Sequence, residues 1–119
     1  MLFSEYIEST KNVQMDEKKI KLIESVYCNS FPDFVKKIIS NLNETLFFDD
    51  EKKMLAIKEV INASENLEIN FQEIKILPLF DFYDNNFLAF DYNHNKWCMF
   101  NISDQVQFDI EKSFEGLLM

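Results

Sequence analysis

The pattern of apolar and polar positions changes from a helical to a strand period in the second half of the chain. From Ile74 onward the two classes alternate, as in Phe80 and Phe82 with Asp81 and Tyr83. Such alternation is typical of half-buried β-strands, and Asp and Asn between the segments supply turn chemistry. The pattern predicts an antiparallel meander. Its strands are expected within 80–83, 87–92, 97–100 and 105–110, with turns at 84–86 and 93–95.

The first half of the chain has the helical period. Apolar residues recur at helical spacing over 2–7 and again over 20–27, the second time behind the acidic pair Asp16-Glu17. An acidic residue before an apolar stripe is a common helix start, because it complements the unpaired backbone N–H groups there. Two N-terminal helices are therefore predicted.

A third helix is predicted to open at the segment Ser30-Phe31-Pro32-Asp33. Ser30 and Asp33 stand at the spacing of a capping box, and Pro32 suits a first turn that has no intrahelical donor to lose. Apolar residues then recur at the i, i+3, i+4 spacing of one helix face, ending near Asn41 and Asn43. They are Phe34, Val35, Ile38, Ile39 and Leu42.

The remaining segments complete an α+β fold. A short strand is expected at 45–48, a turn at 49–51 and a short helix around Ile57, Val60 and Ile61. A final short helix is expected to begin at Ser113, with Phe114, Leu117 and Leu118 on one side. The prediction is one domain over 1–119, with N-terminal helices, an antiparallel meander and a short C-terminal helix, because a chain of this length forms one core.

Composition supports a folded chain and argues against one class of partner. Of 119 residues, 47% are hydrophobic and thirteen are Phe, which is too apolar for a disordered chain. The net charge is −9, and all twelve basic residues are Lys. DNA or RNA would meet a repulsive field and no arginine, so direct nucleic-acid binding is not expected. An acidic surface is compatible with attraction of a basic protein, although it also serves solubility.

The sequence predicts neither a secretion signal nor a membrane-spanning helix. The first residues, 1–13, contain no basic segment followed by an apolar core, and no run reaches the ~18 apolar residues of a membrane helix. We therefore expect a cytoplasmic protein that does not bind membranes.

Cys28 and Cys98 are not part of a CxxC motif and are expected to be buried, small hydrophobic residues.

The residues do not favour catalysis or metal binding. The only histidine, His94, lies between two asparagines in a predicted turn, where a solvated ring is the simplest reading. Asp91 and the asparagines on either side of His94 repeat the start of a calcium loop. Lys96 and Ile102 replace its required Gly and Glu. No enzyme activity, cofactor or metal is predicted.

The outer face of the meander is the candidate binding surface. If Phe80, Leu88 and Phe90 point inward, alternation sends their neighbours outward. An outward mixture of acids and aromatics suits protein recognition, although a helix covering part of this face is an equal alternative. Trp97 could belong to the core or the surface. The predicted partner-binding residues are Asp81, Tyr83, Asp84, Phe87 and Asp91, and Ala89 is expected to point outward with them.

Three sequence segments resemble those of the SUKH superfamily, which includes fungal cell-wall assembly regulators and many bacterial immunity proteins. Residues 31–39 resemble its proline-led helix, 76–80 with 86–91 its central hairpin, and 113–118 its closing helix. Asn41, Asn43 and the turn 84–86 stand where the family has glycines. Asparagine tolerates left-handed backbone better than most residues.

The resemblance implies a non-enzymatic immunity protein that neutralises a toxin domain of a polymorphic toxin system. Such toxins are often nucleases, and an acidic inhibitor would complement a basic nucleic-acid groove. The alternative is a structural or regulatory interaction module with another partner, including a second copy of itself. A small metal-dependent hydrolase ranks third.

Overall fold

The computed structural model describes residues 1–118, which form helices and an antiparallel sheet. The α+β prediction is confirmed, with helices first, a sheet after them and a short helix at the end. The helices are α1 (Phe3–Thr10), α2 (Glu17–Tyr27), α3 (Asp33–Ser40), α4 (Ile57–Ile61), α5 (Ala63–Leu67), α6 (Phe71–Ile74) and α7 (Lys112–Leu118). The strands are β1 (Leu46–Phe47), β2 (Lys53–Met54), β3 (Ile76–Asp81), β4 (Asn86–Asp91), β5 (Lys96–Asn101) and β6 (Val106–Phe108).

The six strands follow chain order across the sheet, and every neighbouring pair is antiparallel. Short hairpins join β3, β4, β5 and β6, as the meander predicted. The connection from β2 to β3 instead contains α4, α5 and α6, of which only the first was expected. The register of β3 against β4 shifts between Pro78 and Phe80, where Pro78 has no N–H to donate to the ladder.

Helices cover both faces of the central strands. Residues that oppose each other across strands share a face, so Phe80, Leu88 and Met99 lie on one face and Phe87 and Phe100 on the other. On the first face, α1, α3 and α7 supply Phe3, Phe34 and Phe114. Phe3 packs edge-on against Phe80 with ring centroids 5.0 Å apart, Phe34 packs edge-on against Trp97 and Phe114 stacks on Phe3.

The second face is covered by α4, α5 and α6. Phe71 of α6 packs against Phe100 with ring centroids 5.8 Å apart. Phe87 lines a small cavity together with Leu55, Ala63 and Leu67. One cluster of buried apolar side chains therefore joins the helices to both faces of the sheet. Trp97 belongs to this core, with only 4% of its surface exposed.

Local hydrogen bonding and backbone conformation explain where α2 begins and ends. The Asp16 carboxylate accepts hydrogen bonds from the backbone N–H groups of Lys18 and Lys19, which caps α2. The helix stops at Cys28, whose φ of 54° is left-handed. Cys28 is exposed there, so the prediction that both cysteines are buried is wrong for Cys28 and confirmed for Cys98.

The predicted capping box of the third helix is wrong in detail. The helix begins at Asp33 with Pro32 at its N-cap, and Pro32 makes no side-chain cap hydrogen bond. Ser30 lies two residues before that cap, too early to pair with Asp33 as a box. The predicted apolar stripe is nevertheless correct, since Val35, Ile38 and Ile39 are buried. Among residues 1–118, no helix is long and apolar enough to cross a membrane.

Candidate protein-binding site

Three turns meet at one end of the sheet. In an antiparallel sheet with strands in chain order, alternate connections fall at the same end. The turns at 48–52, 82–85 and 102–105 therefore lie side by side. The Lys52 ammonium stands 5.2 Å from the centroid of the Phe82 ring, joining the first turn to the second. The Ile102 N–H donates to the Asn85 carbonyl at 2.9 Å, joining the second to the third.

This end of the sheet is strongly acidic. We call residues 48–53, 81–86 and 101–105 the acidic hairpin end; it contains six carboxylates and two lysines. Lys52 contacts Asp50 at 3.4 Å and Lys53 approaches Asp81 at 3.9 Å, while Asp49 contacts the N-terminal ammonium. Among residues 1–118, the other three carboxylates form no salt bridge. They are Glu51, Asp84 and Asp104.

The β3–β4 turn presents Tyr83 and Asp84 to solvent in a defined backbone shape. Tyr83, Asp84 and Asn85 all have left-handed backbone, with φ of 66°, 55° and 64°. Left-handed backbone costs a non-glycine residue about 1 kcal/mol or more. The Asp81 carboxylate offsets part of this cost by accepting from the Tyr83 N–H at 2.7 Å. The Asn86 N–H closes the turn on the Tyr83 carbonyl at 3.0 Å, and Tyr83 is left 39% exposed.

Of the five residues predicted from the sequence to bind a partner, the structure brings Asp81, Tyr83 and Asp84 together at this end. Asp84 is exposed and Asp81 is half-buried. The expectation that Phe87, Ala89 and Asp91 point into solvent is wrong, because they are 6%, 0% and 1% exposed. The α4–α6 layer covers Phe87 and Ala89, and side-chain hydrogen bonds enclose Asp91. The alternative reading, a helix over this face, is the correct one.

Asp91 is a structural carboxylate at the opposite end of the sheet. Its Oδ1 accepts from the backbone N–H groups of Asn93 and His94, and its Oδ2 meets Gln107 Nε2 at 2.9 Å and His94 Nδ1 at 2.7 Å. Burial alone would raise the pKa of Asp91, but these hydrogen bonds outweigh it and the pKa lies below its ordinary value. The carboxylate therefore stays charged and fixes the 92–95 turn to β6 through Gln107.

An apolar groove adjoins the acidic hairpin end, between β6 and α7. It has a volume of about 350 Å³, and Phe82, Met99, Phe108, Ile110 and Phe114 form its apolar lining. Lys52, Asp109 and Glu111 stand at its rim. The sequence pattern did not reveal this groove, because Val106 and Phe108 alternate with polar residues as a buried strand face would. Half of each side chain is exposed, at 51% and 49%.

The structure places the Cys98 thiol in the core and the His94 ring in a turn. Burial raises the pKa of the Cys98 thiol to about 12, which leaves it protonated at neutral pH. His94 is exposed, as predicted, and its ring meets Asp91. Within residues 1–118, no group of three or more His, Cys, Asp or Glu side chains is placed to hold a metal ion. The arrangement best suits recognition, with exposed carboxylates, one exposed tyrosine and an apolar groove on adjoining surface.

Comparison with known protein families, with curated proteins and with solved structures finds no match to the chain.

Proposed function

We propose that this chain is a cytoplasmic, non-enzymatic immunity protein that binds a toxin domain and blocks its active site. The observation that carries the proposal is the acidic hairpin end, where Tyr83 is exposed and Glu51, Asp84 and Asp104 form no salt bridge among residues 1–118. The resemblance of three sequence segments to the SUKH superfamily suggests the class of partner, a toxin domain.

In such a complex, the charged side chains and the exposed tyrosine would contribute to different steps of binding. Clustered carboxylates attract a basic partner during diffusion, because their fields add before contact is made. A tyrosine adds affinity once contact is made, since its ring buries a large area and loses little side-chain entropy. A nuclease toxin would offer the complementary surface, a basic groove for its nucleic acid. Covering that groove would exclude the substrate without any chemistry by the inhibitor.

A growth assay tests the proposal. Where a reading frame next to that of this chain encodes a toxin domain, the domain is expressed from an inducible promoter and the chain is supplied from a second plasmid. The wild-type chain should restore growth. The double variant Asp84→Lys with Asp104→Lys should protect poorly, because both side chains are exposed and their reversal would repel a basic partner.

The matched control reverses charge elsewhere on the surface. Glu8→Lys alters an exposed carboxylate on α1, outside the acidic hairpin end, and should protect like the wild type. Failure of the wild-type chain to protect, or to bind the purified toxin domain, would contradict the proposal. Equal loss of protection in both variants would instead point to net charge, without a specific surface.

A further inference from the structure

The strand β6 ends the sheet with an open edge. Among residues 1–118 it pairs with β5 and with no other strand, and all three of its residues are exposed. An edge strand directs the N–H and C=O groups of alternate residues away from the sheet, where they can pair with another chain. Charged or proline residues often protect such an edge, but Val106, Gln107 and Phe108 include neither.

The side chains of β6 extend an apolar surface beyond the sheet. Phe108 opposes Met99 across the β5–β6 pair, so Val106 and Phe108 lie on the face that α1 and α7 cover farther in. Phe108 also lines the groove against Phe114 of α7. A strand added beside β6 would place every second side chain next to Val106 and Phe108, within reach of that groove.

The opposite face of β6 has a different character. Gln107 lies on this face, opposite Phe100. Asp109 follows the end of β6 at the rim of the groove, with 85% of its side chain exposed. Lys96 pairs with Asp109 at 3.1 Å, but a pair this exposed is weak and open to competition. An added strand would therefore meet apolar side chains beside Val106 and Phe108 and an exposed carboxylate just beyond the end of β6.

The negative charge of the chain indicates whether a second copy or a different partner pairs with β6. The turn that leads into β6 belongs to the acidic hairpin end, and Asp104 is exposed in it. Two copies paired edge to edge would bring together two molecules that each carry a net charge of −9. Like net charges repel each other, whereas a basic segment would be attracted.

We propose that β6 accepts an extended segment of the partner as a seventh strand of the sheet. The segment carries an apolar residue that anchors in the groove beside Phe108 and a Lys or Arg residue that meets Asp109. The partner is the toxin domain, so this inference rests on the proposed function and adds the mode of binding. Main-chain hydrogen bonds would provide affinity, and the alternating side chains would provide specificity.

Hydrogen exchange of the complex with the adjacent toxin domain tests this mode. Backbone amides of 106–108 that exchange rapidly in the free protein should become slow in the complex, because strand addition gives them acceptors. The variant Phe108→Lys should weaken binding about tenfold or more, as loss of an anchor does. Its thermal stability should match the wild type, since Phe108 is half exposed.

Phe47→Lys is the matched control. Phe47 lies on the opposite edge strand, β1, and is 67% exposed, so the same substitution there should change affinity by less than about twofold. Binding without slower exchange at 106–108, or equal weakening by both variants, would overturn strand addition and leave the proposed function standing. Absence of any binding would overturn both. Dimerisation of the free protein that Phe108→Lys abolishes would assign the edge to a second copy.

Discussion

The strands β4 and β6 belong to one sheet, yet one is buried on both faces and the other is exposed on both. In β4, Phe87 and Leu88 point to opposite faces and are 6% and 0% exposed. In β6, Val106, Gln107 and Phe108 are all exposed. Apolar side chains occur in both strands, so sequence alone does not separate them. Burial depends on which helices lie above and below each strand.

The segment between β2 and β3 creates this difference. Its helices α4, α5 and α6 cover β3, β4 and β5 on the face that α1, α3 and α7 leave open, where Phe71 packs against Phe100. The strand β6 receives no comparable cover on that face. The centre of the sheet thus provides stability, whereas the edge strand β6 is exposed to solvent.

Removing a phenylalanine ring should destabilise the protein far more in the covered centre of the sheet than in β6. Phe71→Ala should lower the free energy of unfolding by about 3–5 kcal/mol, because it removes a side chain that is 0% exposed and leaves a cavity. Phe108→Ala should cost less than about 1 kcal/mol, because half of its surface already meets water. Urea denaturation of both variants measures the difference. Similar losses would show that β6 is covered or that α6 does not cover the sheet.

Substitution of Asp91 should lower the free energy of unfolding by a smaller amount. Asp91→Asn should cost about 1–3 kcal/mol at pH 7, since it weakens hydrogen bonds to a buried carboxylate. The folded pKa of Asp91 lies below the unfolded value, so the wild-type carboxylate stabilises the protein above the unfolded pKa of ~3.9. That stabilisation is lost as the pH falls through the lower, folded pKa.

Urea midpoints across pH 7 to 2 test this dependence. The gap between wild type and Asp91→Asn should narrow below about pH 4, where the Asp91 carboxylate of the unfolded wild-type chain begins to gain its proton. Asp84→Asn, at an exposed turn residue, should show no comparable gap at pH 7. A gap that stays constant with pH would mean that the charge of Asp91 does not stabilise the fold.

Much of the fold could be predicted from the sequence, because local patterns determine local structure. The stripe that contains Ile38 and Ile39 marked a helix with one buried face, and alternation with Asp and Asn turns marked the meander. The helices α5 and α6 were missed. Each is only four or five residues long, too short to show a period, and Phe71 is the buried residue of α6.

The candidate site was predictable only in part, for the same reason. Asp81, Tyr83 and Asp84 lie in or next to a turn, so their position at a sheet end followed from local sequence. Phe87 and Asp91 are four residues apart in β4, and their burial depends on α4–α6 and on Gln107, which are distant in sequence. The position of Asp104 near the β3–β4 turn depends on which strands pair, and the spacing of residues in the sequence does not reveal that pairing.

We propose that the acidic hairpin end captures a basic toxin domain, and the claim concerns the rate of association. Surface plasmon resonance at several salt concentrations measures the rate at which the chain and the toxin domain associate. The wild type should associate more slowly as salt rises, because exposed charges are screened beyond ~10 Å at 0.1 M salt. Asp84→Lys with Asp104→Lys should associate about tenfold more slowly at low salt and depend less on salt, with an unchanged melting temperature. Association with wild-type rate and wild-type salt dependence in this variant would contradict the claim.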